Sequence, residues 1–441
     1  MNNPDMIRWI ENGRQRHARW RSENGSPPPA RIVVVDDRLS ADAALRLAQN
    51  GTAMLWRGDF HQAIQLLNAL RARLDRNADD RRHARGPVLP GDATDRHAAQ
   101  HIQPNDTRDS GPQPPTYLRG GVTFAADSEA RTATPAEADD VGSVAASSSA
   151  AMALAYRKYR NARTRRALIL GMLLVELDPG HRLVLRRAPD FSAACHQAYG
   201  PGMESALVSL SELRGVASAS EWRRRGVYVP ALDARIHPHY GVFAPGRGEY
   251  VDLVARAPLP SRELAFDIGT GTGVLAAVLA RRGVRSIVAT DTSTRALGCA
   301  RDNLDRLGYG EQVELMRTDL YPPGRASLVV CNPPWIPGKP RTPLDFAIYD
   351  PGSRMLRAFL DRLGKHLTVD GEGWLILSDL AERIGLRTRR ELLSAFDTAG
   401  LRVVDRLDTR PRHARAQDVD DPLFAARSGE ITSLWRLSRV T

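Results

Sequence analysis

The chain has 441 residues and a formal charge of +11. At roughly 100 to 200 residues per domain this predicts two to four domains. Hydrophobic residues are 42% and charged residues 26% of the chain, which excludes a wholly disordered protein and a disulfide scaffold. Its longest apolar run, Ala167 to Val175, is about half the roughly 20 residues of a membrane helix, so no membrane partner is expected. The N-terminus has charges every few residues and no apolar signal segment, and Cys195, Cys299 and Cys331 form no C-x-x-C pair. A cytoplasmic protein with reduced thiols and no structural metal is expected. The 59 arginines stand beside only Lys158, Lys339 and Lys365, a skew that fits codon bias as well as a nucleic-acid footprint.

In chain order, residues 1–78 predict a small helical unit, with apolar residues at helical spacing over Ala41–Leu47 and Ala63–Leu74. Trp56 and Phe60, between them, read as plugs of a helix-helix seam. Residues 79–149 are rich in Pro, Gly, Ser and charge, with Tyr117 and Phe124 as the only aromatics, and predict a flexible linker. Residues 150–258 read as an accessory, substrate-facing domain. Within it, Leu168–Leu177 and Arg182–Arg187 flank the turn signal DPGH and predict a hairpin. SALVSLSELRGV and SEWRRRGV predict helices, and the Gly-, Pro- and His-rich tail IHPHYGVFAPGRGEY reads equally as a connecting or a substrate-facing loop.

From 259 to 441 the pattern changes. LAFDIG, SIVATD, VELMR, SLVVCN, GWLILSD, LRVVDRL and ITSLWRL alternate with helix-length segments. This predicts an α/β fold with a doubly wound, mostly parallel seven-stranded sheet, its last strand antiparallel. The first strand runs into Asp267-Ile268-Gly269-Thr270-Gly271-Thr272-Gly273 and then a helix. Glycines there allow a tight turn and close approach of a nucleotide-like ligand to free helix N–H groups. A dinucleotide fingerprint uses glycines at the same place, but Val274 stands where its third Gly or Ala would be. Asp291 ends the second strand, eighteen residues past Gly273, where a carboxylate can accept both ribose hydroxyls or simply cap the next helix. Asp319 follows the third strand, placed to accept from an adenine amine or to be solvated.

The fourth strand runs into Asn332-Pro333-Pro334-Trp335. Each proline lacks an N–H and holds its predecessor extended, so carbonyl oxygens are left free to face a pocket. The Asn332 side-chain oxygen and the Pro333 carbonyl could accept both hydrogens of one planar –NH₂, and Trp335 offers a flat stacking face. That arrangement suits methylation of an sp² nitrogen, because holding both hydrogens turns the lone pair toward an electrophilic methyl.

On these residues the segment 263–441 resembles class I S-adenosylmethionine-dependent methyltransferases of the N-P-P-aromatic subgroup. The subgroup includes glutamine N5-, ribosomal RNA guanine N2- and adenine N6-methyltransferases. The resemblance implies S-adenosylmethionine as cofactor, and as acceptor a glutamine amide of a translation factor or ribosomal protein, or an amine of an RNA base. By similarity Asp267, Gly269, Gly271 and Gly273 line the methionine end, Asp291 binds the ribose and Asp319 the adenine. Thr270, Thr292 and Leu320 belong to the same cofactor loops. Asn332 and Pro333, with Pro334 and Trp335, would hold the acceptor nitrogen. Two departures bear on the substrate: Trp335 replaces the usual tyrosine of the glutamine branch, and Asp345–Ser353 has one glycine, Gly352, where that branch usually has two or more. A non-catalytic RNA-binding module and a nicotinamide-dependent oxidoreductase are the competing readings.

Overall fold

The computed structural model describes residues 6–83, 138–412, 417–419 and 421–440. The first half contains β1 (Met6–Glu11), β2 (Arg14–Arg21), β3 (Arg31–Val35), α1 (Ala41–Gln49), β4 (Thr52–Trp56) and α2 (Phe60–His83). It continues with α3 (Ala138–Gly171), β5 (Leu173–Leu177), α4 (Ser192–Tyr199), β6 (Ala206–Ser209) and α5 (Leu210–Arg225). The six strands form one sheet in the order β1-β2-β6-β5-β4-β3. Residues 1–78, expected as a small helical unit, therefore supply four strands to a sheet completed by β5 and β6, and are not a unit apart from the accessory region. The two expected helices are present, but TAMLW between them is a central strand buried at every position. Such a short apolar run carries no periodicity that separates strand from helix seam. Met54 and Trp56 face the helices α1, α2 and α5, while Ala53 and Leu55 join Ile7 and Trp9 on the other face.

Three further expectations change. Most of the proposed linker lies outside the described residues, but 79–83 continue α2 and 138–149 begin α3, whose alanine-rich start favours helix. Of the expected hairpin, Leu168–Gly171 ends α3, and the DPGH turn leads to a single bridge between Leu177 and Leu183. Asp178 Oδ1 shapes that turn by accepting the Gly180 and Arg182 N–H groups, each at 2.8 Å. SALVSLSELRGV divides into strand β6 and helix α5, with the β-branched Val208 on the strand side.

The second half contains β7 (Val227–Val229), β8 (Ala234–Ile236), α6 (Glu249–Arg256), β9 (Leu264–Ile268), α7 (Val274–Arg281), β10 (Ser286–Asp291), α8 (Thr294–Arg306), β11 (Val313–Arg317) and β12 (Ala326–Cys331). It ends with β13 (Ile336–Pro337), β14 (Tyr349–Asp350), α9 (Arg354–His366), β15 (Leu367–Ser378), α10 (Leu380–Arg383), α11 (Arg389–Thr398), β16 (Leu401–Thr409), α12 (Phe424–Ser428) and β17 (Thr432–Arg439). Its seven-stranded sheet has the order β11-β10-β9-β12-β15-β17-β16, with β17 antiparallel to both neighbours. This is the doubly wound, Rossmann-like arrangement expected. One face packs Ala265, Ile287, Val330 and Trp374 under α6 and α7. The other packs Phe266, Val329, Leu375 and Trp435 under α9 and α11. Val229, Leu232, Ile236 and the buried face of α6 belong to the first of these cores, so this unit begins near residue 227 and not at 259.

The halves meet along α8. Arg295 pairs with Glu23 at 3.1 Å and donates to the Ala198 carbonyl at 3.1 Å. Arg223 of α5 pairs with Asp302 at 2.9 Å. Among the described residues no helix is long and apolar enough to cross a membrane.

Candidate active site

Three neighbouring strand ends build the site. β9 lies between β10 and β12, and Ile268 at its end pairs with Thr290 on one side and Cys331 on the other. The glycine loop, the Asp291 turn and the N-P-P-W segment therefore leave the sheet side by side, at the carboxyl edge where open α/β sheets bind ligands.

The loop is tied down by its backbone. Gly269 and Thr270 N–H both donate to the Thr290 carbonyl, at 2.9 and 2.8 Å, and Gly271 N–H donates to Asp291 Oδ2 at 3.1 Å. Gly269, Gly271 and Gly273 have φ of +73°, +56° and +81°, in the left-handed region that side chains strain to occupy. At Gly273 a Cβ would also lie 3.2 Å from Ala300 of α8.

Asp267, at the end of β9, is 1% exposed. Its Oδ2 accepts from Thr270 Oγ1 at 2.7 Å and Ala276 N–H at 3.1 Å, whereas Oδ1 is buried without a partner. Burial pushes this carboxyl up to about 6, against the pull of those two donors. Asp291 accepts Ser293 N–H at 2.9 Å as well as Gly271, and burial raises its carboxyl too. Neither carboxylate has a cationic hydrogen-bond partner among the described residues. An unpartnered buried oxygen beside open backbone fits the ammonium end of an amino-acid cofactor, and Asp291 at the turn fits a ribose.

Leu320 adopts φ of +71° and its carbonyl accepts from Thr290 Oγ1 at 2.6 Å, which ties the loop after β11 to the end of β10. Asp319 beside it is exposed, as is Thr292, whose carbonyl accepts from Arg317 at 3.2 Å. Both stand at the rim of the same edge, apart from the buried Asp267.

In the N-P-P-W segment the Trp335 indole N–H donates to Asn332 Oδ1 at 2.8 Å. An indole nitrogen is a donor only, so the Asn332 atom facing it is the oxygen, with one lone pair left for another donor. Pro333 is buried and Pro334 half-buried. Downstream, β13 pairs with β14 and closes the loop 338–348, while Asp350 caps α9 by accepting Met355 and Leu356 N–H at 3.0 and 3.1 Å.

Sequence reasoning missed the residues that hold Trp335. Arg247 lies over its ring, 5.0 Å from the centroid. That guanidinium pairs with Glu249 at 3.0 Å and Glu430 at 2.9 Å, both nearly buried, and Ser378 Oγ donates to Glu430 at 2.6 Å. The tail around Arg247 thus packs on the N-P-P-W segment, though no local pattern separates Arg247 from the other arginines. Helix α3 also reaches the loop after the motif: Tyr156 meets Tyr349 at 3.2 Å, and Arg160 lies 3.8 Å over the Tyr349 ring.

The model of the methyltransferase small domain family matches residues 233–380. The release factor glutamine methyltransferase of Mycobacterium tuberculosis is 37% identical over 131 residues, 26% of this chain and 41% of the relative. The tRNA1(Val) (adenine(37)-N6)-methyltransferase of Bacteroides fragilis is 36% identical over 89 residues, 19% of this chain and 38% of the relative. The chain thus spans about two fifths of the length of these curated relatives. Among solved structures, ribosomal protein L11 methylase from Lactobacillus delbrueckii subsp. bulgaricus aligns with a TM-score of 0.33 and 19% identity, covering 47% of this chain and 87% of that one.

Proposed function

We propose that this chain is an S-adenosylmethionine-dependent N-methyltransferase acting on a planar sp² nitrogen. The observation that carries the reading is the adjacency of two groups: Asn332-Pro333 at the end of β12 and the unpartnered Asp267 oxygen at the end of β9, on paired strands. The relatives whose names specify a glutamine or an adenine N6 acceptor support the same class, since both are planar nitrogens.

S-adenosylmethionine, when bound, supplies an electrophilic methyl on a sulfonium that departs as a neutral thioether. Asp267 Oδ1 would accept the ammonium of its methionine end, and Asp291 the ribose hydroxyls. Gly269, Gly271 and Gly273 keep side chains away from that path. Asn332 Oδ1 and the Pro333 carbonyl accept the two N–H groups of the acceptor, which turns the nitrogen lone pair toward the methyl. Once the nitrogen carries the methyl, one of its N–H protons would be acidic and would leave to solvent. Holding the acceptor in that geometry, and not strong-base chemistry, is the main contribution of these residues. Trp335 has one ring face against Arg247 and its N–H on Asn332 Oδ1, so it would orient the Asn332 amide toward the acceptor.

The test is twofold. Calorimetry should show S-adenosylmethionine binding and no NAD binding. Full-length protein incubated with methyl-labelled cofactor and extract from cells lacking it should then label an amide or amine nitrogen. NAD binding without S-adenosylmethionine binding, or label on carbon or oxygen, would overturn the reading.

A further inference from the structure

Helix α3 carries an unusual charge pattern between Ser149 and Gly171. Arg157, Lys158, Arg160, Arg163, Arg165 and Arg166 lie in this stretch, and no Asp or Glu does. Arginine is abundant throughout the chain, and many of the arginines outside α3 lie beside an acid of their own element or of a neighbouring one. Arg224 pairs with Glu221 at 2.6 Å, Arg383 with Asp379 at 2.8 Å, Arg389 with Glu382 at 2.8 Å and Arg436 with Glu372 at 2.7 Å. Among the described residues, Arg166 is the one cation of this stretch that reaches a carboxylate, that of Asp75. Arg157, Lys158 and Arg165 are exposed and meet no carboxylate among the described residues. A skew in codon usage explains many arginines, but not a run of them lacking acids.

The same helix is fastened to the loop that follows the N-P-P-W segment. Arg160 donates to the Lys339 carbonyl at 2.9 Å, and Arg341 donates to Asn161 Oδ1 at 3.3 Å. That loop adds two cations, Lys339 and Arg341, one acid, Asp345, whose Oδ2 accepts the Arg341 backbone N–H at 2.9 Å, and an aromatic ring, Phe346, that is 67% exposed. Phe346, Arg341 and Thr342 line one wall of a cleft of about 360 Å³ whose other wall is Ser22–Gly25. The second wall is firm. Glu212 accepts from Glu23 N–H at 2.9 Å, Asn24 Nδ2 at 3.2 Å and Ser22 Oγ at 3.3 Å.

We infer that α3 and the 339–346 loop form a track for single-stranded RNA that leads an unstacked base to Asn332 and Trp335. The inference rests on the N-methyl transfer reading and names the acceptor class for the same site. Free cations meet phosphates, and an exposed ring beside them stacks a base, the pairing by which single strands are held. From Arg157 to Arg165 the helix rises roughly 12 Å, enough to meet successive phosphates of an extended strand. An acidic polypeptide would satisfy the cations and leave Phe346 without a role.

The experiment is fluorescence anisotropy of the full chain with a fluorescein-labelled 20-nucleotide mixed-sequence single-stranded RNA, titrated at several salt concentrations. The combined variant Arg157→Glu, Lys158→Glu, Arg165→Glu should bind at least tenfold more weakly. At about 0.7 per phosphate contact, its neutral counterpart with three Gln should lose roughly two from the slope of log affinity against log salt. Phe346→Ala should weaken binding about five- to a hundredfold, the range of one base stack, with the salt slope unchanged. Calorimetric affinity for S-adenosylmethionine should be the same in all variants, which also shows that they fold. Absence of RNA binding, equal binding by the charge-reversed variant, or equal affinity for a polyglutamate of similar length would each overturn the inference. A wild type that takes up the RNA but not S-adenosylmethionine would sink the transfer reading alone.

Discussion

Both halves of the molecule place acidic residues at the carboxyl ends of parallel strands, and they use them in opposite ways. In the first half Asp37 follows β3 and Asp59 follows β4. Asp59 is held by Arg187 at 2.7 Å, Asp37 by Arg186 at 3.2 Å, and Asp37 Oδ1 accepts the Asp59 N–H at 2.8 Å. A Cβ on Gly58 would lie 2.2 Å from Asp37 Oδ1, so the space above the strands is filled by the chain itself. In the second half Asp267 and Asp291 accept only from backbone N–H groups and a threonine hydroxyl, beside glycines of positive φ. The titrations diverge accordingly. Arg187 holds the Asp59 carboxyl down to about 2, whereas burial pushes Asp267 up to about 6. In the first half the strand-end acids are ties within the fold, whereas in the second the fold leaves them without a cation, which is what the proposed cofactor site requires.

Removing groups from the open edge should break function without breaking the fold. The largest effect is expected for Asn332→Ala, which removes one positioned acceptor of the substrate N–H and should cost about 10² to 10³ in turnover. Cofactor affinity by calorimetry should stay within about twofold, because the proposed role of Asn332 is to hold the acceptor and not the cofactor. Retained turnover would remove Asn332 from the chemistry.

Next come the two carboxylates. Asp291→Ala and Asp267→Asn should each weaken S-adenosylmethionine binding by tenfold or more, since charge-assisted hydrogen bonds contribute about 1.5 to 3 kcal/mol. Asp267 adds a pH signature. Its carboxyl must be ionised to receive an ammonium group, so affinity should fall as pH drops below about 6, and Asp267→Asn should flatten this dependence. Stability moves the other way. The native carboxyl near 6 binds a proton more readily than the unfolded one near 3.8, so stability from this group falls as pH rises through that window. Asp267→Asn should escape that loss, on the order of 2 to 3 kcal/mol, in chemical denaturation at pH 8 compared with pH 4.

The same contrast explains what could be read in the sequence. All seven strands of the second sheet, the antiparallel last one among them, show as short apolar runs separated by helix-length segments. The glycine loop and N-P-P-W were visible because each adjoins such a run, and β pairing then sets them side by side. The first sheet was not legible: TAMLW is fully buried, and its partners in β5 lie more than a hundred residues away. Arg247 was invisible for a related reason. Its ion-pair partner Glu430 is 183 positions on, and nothing in the local pattern records such a contact.

A smaller effect is expected at the indole. Trp335→Phe keeps a flat ring under Arg247 but deletes the donor to Asn332 Oδ1. A neutral hydrogen bond contributes about 0.5 to 1.5 kcal/mol, so turnover should fall by roughly two- to tenfold if the indole orients the Asn332 amide. Unchanged turnover with Trp335→Phe would mean that Asn332 is held by the prolines alone.

The smallest functional effect is expected at the closed edge, and there the comparison is most exposed to failure. Asp59→Asn leaves an oxygen to accept the His61 N–H at the start of α2 but removes the charge that Arg187 meets. The native carboxyl is held below its ordinary value by Arg187, so its contribution to stability is present at neutral pH and is lost as pH falls through the native value near 2. Asp59→Asn should therefore lower the thermal midpoint at pH 7 and change it less at pH 3, where the unfolded carboxyl is already mostly protonated. Neither S-adenosylmethionine affinity nor turnover should move beyond about twofold, because surface-linked ties of this kind act on the fold that carries them and not on a site elsewhere. A drop in cofactor affinity comparable to that of Asp291→Ala would show that the first sheet's carboxyl edge takes part in binding, and that its arginines stand in for a ligand.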